Sequence, residues 1–350
     1  MLNYNIPYLP LCQLFAVKKS NKKCVKVEIF PFVWYNIRMK IDLSKIVTKN
    51  QTIAVAVSGG SDSMALLHFM TANAKKYGIK VIALNVEHGI RGEASISDTN
   101  FVKSYCRSRG IELLTYSFDA VKKAKTDKLT VEQAARVLRY ECFFKAIDEG
   151  KCDKVATAHH RRDNVESVLL NLFRGTGLKG VAGINANYED KIIRPFLTVT
   201  KEEIIAYMTE NSVPYITDET NLSDDYTRNY IRLNVLPKIK EAFPEVEKCV
   251  SRFAEIAKSE DEYMDGVSKA AVKLFGDHAE IGLPVHPAIF SRAAIIALKN
   301  LGIEKDWEKV HIDSAYELKD KENGTKINLP KNLYAVKEYD KIVIYKQKKN

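Results

Sequence analysis

The run Ile53-Ala54-Val55-Ala56-Val57-Ser58-Gly59-Gly60-Ser61-Asp62-Ser63 joins two periodicities. Residues 53–57 are short, apolar and rich in β-branched side chains, as a buried strand requires. Residues 63–76 carry Met64, Leu67 and Met70 at helical spacing. The six residues 58–63 therefore close a strand and open a helix. That position turns backbone N–H groups and the positive end of a helix toward an anion. Gly59 and Gly60 let the main chain approach a phosphate closely. Ser58, Ser61 and Ser63 add hydroxyl donors. Asp62 is a poor phosphate ligand because like charges repel, so its sensible role is to hold Mg²⁺, which in turn grips phosphates. The string is neither G-x-x-x-x-G-K-[ST] nor G-x-G-x-x-G, and no lysine lies in the turn.

From this loop outward, strand and helix alternate. Residues 80–86, 111–117 and 154–158 read as further strands. Residues 97–109, 130–149 and about 163–173 read as helices between and after them. This order predicts an α/β fold with a doubly wound parallel sheet, whose ligands sit beyond the carboxyl ends of the strands. Near Pro237 and Pro244 the style changes. Residues 245–275 and 292–301 are helical in pattern, and 326–329 and 342–345 resemble short strands around Pro330. The expected division is a loose N-terminal extension (1–40), a catalytic domain (41–240) and a smaller, mainly helical auxiliary domain with short terminal strands (241–350). Met39 opens the first regular segment and is a second candidate start of translation, which an intact mass of the native protein would test.

Of the 350 residues, 46% are hydrophobic and 28% charged, an ordinary globular mixture that excludes collagen-like and wholly disordered readings. No window reaches the roughly 18 consecutive apolar residues of a membrane span. The lysines that follow residues 6–17 are in the wrong order for a secretory signal. Six cysteines are scattered with no C-x-x-C pair, which fits a reducing cytoplasm better than a disulfide framework or a zinc ribbon. The net charge is +10, and half of it lies in residues 1–38. The mildly basic remainder permits nucleic-acid binding without arguing for it.

Ser58-Gly59-Gly60-Ser61-Asp62-Ser63 resembles the PP-loop motif S-G-G-x-D-S of ATP pyrophosphatases, which cleave between the α- and β-phosphates. A chance match in a chain of this length has a probability on the order of 10⁻⁵. Six more segments, in order across about residues 52–240, resemble the tRNA(Ile)-lysidine synthetases. Val86-Glu87-His88-Gly89-Ile90-Arg91 is similar to V-D-H-G-L-R. Glu132-Gln133-Ala134-Ala135-Arg136 with Arg139-Tyr140 is similar to E-x-x-A-R-x-x-R-Y. Ala158-His159-His160-Arg161-Arg162-Asp163-Asn164-Val165-Glu166 is similar to A-H-H-x-x-D-x-x-E. Arg174-Gly175-Thr176-Gly177-Leu178-Lys179-Gly180 follows R-G-[ST]-G-L-x-G, and Arg194-Pro195-Phe196-Leu197 follows R-P-L-L. Asp218-Glu219-Thr220-Asn221 with Arg228-Asn229-Tyr230-Ile231-Arg232 follows D-x-[ST]-N and R-N-x-I-R. Glu87, Asn164 and Ser167 depart mildly from the family's Asp, Gln and Thr. Leu329-Pro330 and Tyr339-Asp340-Lys341 resemble the segment that leads to a further domain in longer relatives, which implies a short form lacking that last domain.

The resemblance implies a ligase that uses ATP and Mg²⁺ to adenylate the wobble cytidine of a CAU-anticodon tRNA(Ile), and then joins free L-lysine to it. At neutral pH only about 0.04% of a lysine side chain with a pKa near 10.4 is free base. A carboxylate must therefore hold the ammonium and help remove a proton. Asp163 and Glu166, at i and i+3 on one helix face, are the candidates. The plain alternative is an ordinary capping residue at Asp163 and a solvated glutamate at Glu166. His159 and His160 lie at the end of the fourth strand over the crevice, and His159 is the catalytic candidate of the two. Arg139 is the candidate for stabilising developing phosphate charge, although a surface helix arginine reads the same way. His88, Arg91, Arg174, Arg228 and Arg232 are candidates for tRNA or nucleotide contacts, and Asp62 for the metal. His68, inside a helix between Leu67 and Phe69, reads as packing. By analogy with such enzymes, a homodimer is among the expectations. The alternatives are another PP-loop tRNA-modifying or amidotransferase-type enzyme, or a binding module for nucleotide or RNA. A thiolase would call for paired cysteines, and a binding module predicts loss of Asp62 or the loop glycines, all of which are present.

Overall fold

The computed structural model describes residues 39, 41–87, 89, 93–216, 226–303 and 307–347. The proposed leader, His88, Arg91 and the segment Asp218–Asn221 lie outside them.

β1 (Thr52–Ala56) runs into the serine–glycine loop and then α1 (Ser61–Tyr77). β2 (Lys80–Glu87), α2 (Glu93–Ser108) and β3 (Leu113–Ser117) follow. A short helix, α3 (Ala120–Asp127), precedes α4 (Val131–Asp148). α4 starts where Thr130 and Gln133 cap each other's backbone N–H groups at 3.1 and 3.0 Å. β4 (Lys154–Ala156) leads to α5 (Arg161–Phe173), the single turn α6 (Leu178–Val181), the two-residue strands β5 (Asn187–Tyr188) and β6 (Ile192–Ile193), and α7 (Lys201–Glu210).

The strands form one sheet in the order β3-β2-β1-β4-β6-β5, parallel except for β5. This is the doubly wound sheet that the alternation of strand and helix predicts. One face packs Ile53 and Val55 against Met64, Leu67 and Met70 of α1, with Phe196 and Ile204 in the same cluster. The other packs Ala54, Ile82, Leu84 and Val155 against Phe143 and Ala146 of α4. Burial on both faces explains why β1 reads as a continuous apolar run. The strand order reverses between β1 and its neighbours β2 and β4, so a crevice opens beyond the carboxyl ends of β1 and β4.

After α8 (Tyr226–Tyr230) the helix continues as a π-helical segment, Ile231–Val235, and then as α9 (Leu236–Ala242). α10 (Val246–Ala271) follows. β7 (Val272–Leu274), β8 (His278–Gly282), α11 (Pro287–Asn300), α12 (Lys309–Glu317), β9 (Lys326–Leu329), β10 (Leu333–Glu338) and β11 (Lys341–Lys346) complete the described residues. Their five strands form an antiparallel sheet ordered β7-β8-β11-β10-β9. The sequence reading finds β9 and β11 here but not β7, β8 or β10. These strands alternate: Leu333 and Ala335 of β10 enter the core with Phe290 and Ala293 of α11, while Tyr334 and Val336 lie on the other face. An alternation this short is easily lost among charged neighbours. Among the described residues no helix is long and apolar enough to cross a membrane.

Candidate active site

The loop after β1 takes its shape from Gly59 and Ser63. Gly59 has φ +94°, and a Cβ there would stand 3.1 Å from Cδ1 of Ile216, whose backbone N–H donates to the Gly59 carbonyl at 2.9 Å. An L side chain there is strained by that φ, and its Cβ would press on the Ile216 side chain. The Ser63 hydroxyl donates to the Gly60 carbonyl at 3.0 Å and accepts the Ser58 N–H at 3.2 Å. Ser63 is buried and acts as the internal clasp of the turn, whereas Ser58 is exposed. Gly60 occupies the N-cap of α1 with no side-chain cap, so the first-turn amides keep their capacity for an external acceptor. Beneath the loop, buried Asn85 donates to the Val57 carbonyl at 2.8 Å and accepts from Thr99 at 3.2 Å, fixing the strand end.

Asp62 is the loop's one acidic side chain, and it is paired. Lys201, the first residue of α7, donates to Asp62 Oδ1 and to Ser61 Oγ, the latter at 3.0 Å. On its other side Asp62 Oδ2 lies 3.8 Å from Nε2 of His160. His160 is buried, and its Nδ1 stands 3.5 Å from Asp163 Oδ2 without a hydrogen-bond partner. Asp62, His160 and Asp163 thus form a line from the phosphate loop to α5.

The β4 end brings together most of the candidates from the histidine motif. The Asp163 carboxylate accepts the His160 backbone N–H at 2.9 Å, so it caps the helix. Glu166, one turn on, has no exposed surface. Arg232 from the π-helical segment reaches both acids. Its Nε and Nη2 donate to the two Glu166 oxygens at 2.7 and 2.8 Å, and Nη2 also donates to Asp163 at 3.2 Å. The Glu166 hydrogen bonds raise the guanidinium's pKa further. This bidentate pair is what makes a fully buried carboxylate tolerable. In the sequence Arg232 reads as a tRNA or nucleotide contact, and its observed partners are these two carboxylates. Arg228 donates to Ser167 at 2.9 Å, and Ser167 in turn donates to the Asp163 carbonyl at 2.8 Å.

The two adjacent histidines have different surroundings. His159 turns to Thr157, with 2.9 Å between Nδ1 and Oγ1. Burial, reinforced by the positive charges of Arg194, Arg136 and Arg139, pushes its pKa down to about 4. His160, which the sequence reading places over the crevice without a role, is the one between Asp62 and Asp163. Arg139 is exposed on α4. Arg194 is buried, donates to Tyr140 Oη at 3.1 Å, and shares Tyr140 with Arg136, whose guanidinium carbon lies 5.4 Å from the ring centroid.

Several motif residues shape the crevice. Glu87 accepts the Gly89 N–H at 2.7 Å and the Ser117 hydroxyl at 2.6 Å, so it ties the end of β2 to the end of β3. Asn164 accepts the Ile184 N–H at 2.7 Å, and a Cβ on Gly183 (φ +72°) would stand 2.3 Å from the same oxygen. Arg174 is exposed at the end of α5. Lys201 was missed in the sequence. Thr200-x-x-Glu203 announces a helix there, with mutual cap bonds at 2.7 and 3.1 Å, but nothing local signals a partner 139 residues away.

A glycine-bent phosphate loop at the switch point of a parallel sheet, backed by helix-borne acids, defines a class of nucleotide-using domain, and a family profile described as the PP-loop domain matches residues 35–239. The tRNA(Ile)-lysidine synthase of Clostridium acetobutylicum is 32% identical over 315 residues, 87% of this chain and 68% of the relative. That of Chlorobaculum tepidum is 35% identical over 268 residues, 74% of this chain and 81% of the relative. The chain belongs to the tRNA(Ile)-lysidine synthase family. Among solved structures, the U34-tRNA thiolase NcsA of Methanococcus maripaludis, with its 4Fe-4S cluster, is similar at a TM-score of 0.54 and 19% identity, covering 63% of this chain and 77% of that one. That likeness concerns the fold alone.

Proposed function

We propose that this protein joins free L-lysine to carbon 2 of the wobble cytidine in a CAU-anticodon tRNA(Ile), in the cytoplasm, in two steps. In the first, the cytosine O2 attacks the α-phosphorus of ATP and pyrophosphate leaves. In the second, the lysine ε-amine attacks carbon 2 and AMP leaves with that oxygen. The catalytic work falls to residues 41–240, with 241–350 as auxiliary. The observation that carries the reading is the adjacency of the phosphate loop (58–63) and Asp163, joined through His160 across neighbouring strands, with Glu166 tied to Asp163 by Arg232. One crevice then serves both the polyphosphate and the amine.

The residues suit Mg²⁺. Among the described residues no three His, Cys, Asp or Glu side chains are grouped to hold a metal ion. One carboxylate, Asp62, beside the Ser61 hydroxyl is nevertheless the kind of partial oxygen set that holds Mg²⁺ together with substrate phosphates. When bound, the ion supplies charge neutralisation for the leaving pyrophosphate. Asp163, with part of its carboxylate open, receives the lysine ammonium. Glu166 is reached only as Arg232 turns aside. Arg139 faces the nucleotide end, and Arg174 and Arg228 the tRNA backbone.

Purified protein with ATP, Mg²⁺, radiolabelled lysine and a CAU-anticodon tRNA(Ile) transcript is expected to yield labelled RNA. No incorporation by folded protein overturns the reading. A methionine tRNA competitor in the same assay reports how two tRNAs with one anticodon are told apart.

A further inference from the structure

Lys201 has no role in the two-step scheme, yet it touches the phosphate loop. Its ammonium binds Asp62 and Ser61 at the start of α1, and both members of the Lys201–Asp62 pair keep exposed surface, 24% and 31% of their side chains. The loop itself contains no lysine or arginine. Its one charged side chain is therefore negative, although the triphosphate it would bind is strongly negative too. A cation must come from elsewhere, and among the described residues Lys201 is in hydrogen-bond contact with the loop.

Its position in its own helix supports this. Lys201 occupies the first turn of α7, where the helix dipole disfavours a positive charge, and its neighbours Glu202 and Glu203 are of the favoured sign. The lysine gains nothing from α7, but α7 places it. Tyr207 of α7 lies 2.7 Å from His68 Nδ1 of α1 and packs edge-on to Phe69, which also packs on Phe196. The two helices are locked side by side, so the Lys201 stem starts at a fixed point beside the loop.

Building on the ATP reading above, we propose that Lys201 is the phosphate-binding cation of loop 58–63, and that Asp62 and the polyphosphate of ATP compete for its ammonium. As the polyphosphate takes Lys201, the Asp62 carboxylate is released for the cation that accompanies ATP. Lys201 then stays with the pyrophosphate after the α–β bond breaks, stabilising the leaving group. The protein thus assembles from two helices the charge that a Walker loop carries within its own turn.

The test is calorimetric binding to the full-length protein at fixed salt in EDTA, with inorganic pyrophosphate, ATP and AMP as separate probes. Lys201→Met is expected to weaken pyrophosphate and ATP about tenfold or more, the scale of one charge-assisted hydrogen bond, and to leave AMP within about twofold. Lys201→Arg is expected to recover most of the loss. Asp62→Asn, which frees the ammonium, is expected to bind metal-free pyrophosphate more tightly than the unaltered protein. Lys201→Gln takes the place of Lys201→Met if the latter melts early. Unchanged pyrophosphate binding in the lysine variants, equal losses for AMP and ATP, or no gain in Asp62→Asn overturns the proposal while leaving the ATP reading intact. Failure of the unaltered protein to bind ATP overturns both.

Discussion

Glu166 has no exposed surface, and its charge is matched by a bidentate guanidinium from a segment 66 residues away. Removing one partner of such a pair strands a buried charge and typically costs about 3–5 kcal/mol. Arg232 is itself over a third exposed, so Arg232→Gln is expected at the lower end, about 3 kcal/mol in urea unfolding, with Glu166→Gln in the same background restoring part of the loss. The proposed roles separate kinetically. Asp62→Ala is expected to abolish transfer of AMP to tRNA, whereas Glu166→Ala is expected to keep ATP-dependent adenylation and impair lysine transfer. Normal lysine transfer by Glu166→Ala would remove that carboxylate from the mechanism. His159 makes a pH prediction. Its pKa falls from 6.5 to about 4 on folding, chiefly through burial. Between those values the unfolded chain binds a proton that the folded protein refuses, so stability is full above about pH 7 and declines as pH falls toward 4. Thermal melts across that range are expected to show a shallower decline for His159→Asn.

At the scale of elements, the site depends on where two helices begin. α5 starts at the His160–Asp163 cap and α7 at the Thr200–Glu203 cap, so local capping sets the position of Asp163 and Lys201 along their helices. Their distance from the loop depends on helix packing. The His68–Tyr207 contact is part of that packing, and burial lowers the His68 pKa. Tyr207→Phe is expected to cost about 1 kcal/mol, the ordinary worth of a hydrogen bond, read as a lower urea midpoint at constant slope. An unchanged midpoint would make the contact incidental. The reading of His68 as a packing residue holds, with a tyrosine hydroxyl as the partner. The π-helical turn at Ile231–Val235 follows the R-N-x-I-R motif and carries Arg232. Such turns are common at functional sites, and nothing in the local pattern of 231–235 distinguishes this one from ordinary helix.

For the whole molecule, charge is the relevant quantity. Half of the net +10 lies in residues 1–38, so the test rests on single contacts, and binding that rests on phosphate contacts weakens linearly in log salt. Arg174 is exposed on the site-bearing helix, so Arg174→Ala is expected to weaken tRNA binding and reduce the slope of log K against log salt by about 1. ATP affinity should not move. A variant with the original slope would place Arg174 outside the RNA contact.

The strand–loop–helix at 52–77, the alternation that follows it and the acids of 158–166 were legible in the sequence, because periodicity, glycine and capping act over a few residues. The pairing of Lys201 with Asp62, of Arg232 with Glu166, and the choice of His160 over His159 between the two aspartates were not. They depend on β4 lying against β1 in the register Val55–Ala156, and on α7 and the π-helical turn folding back over the crevice. Local rules determine which groups a segment carries and on which face. Only burial and long-range packing decide which charge meets which, since a buried carboxylate is stable only where a distant chain segment delivers its counter-ion.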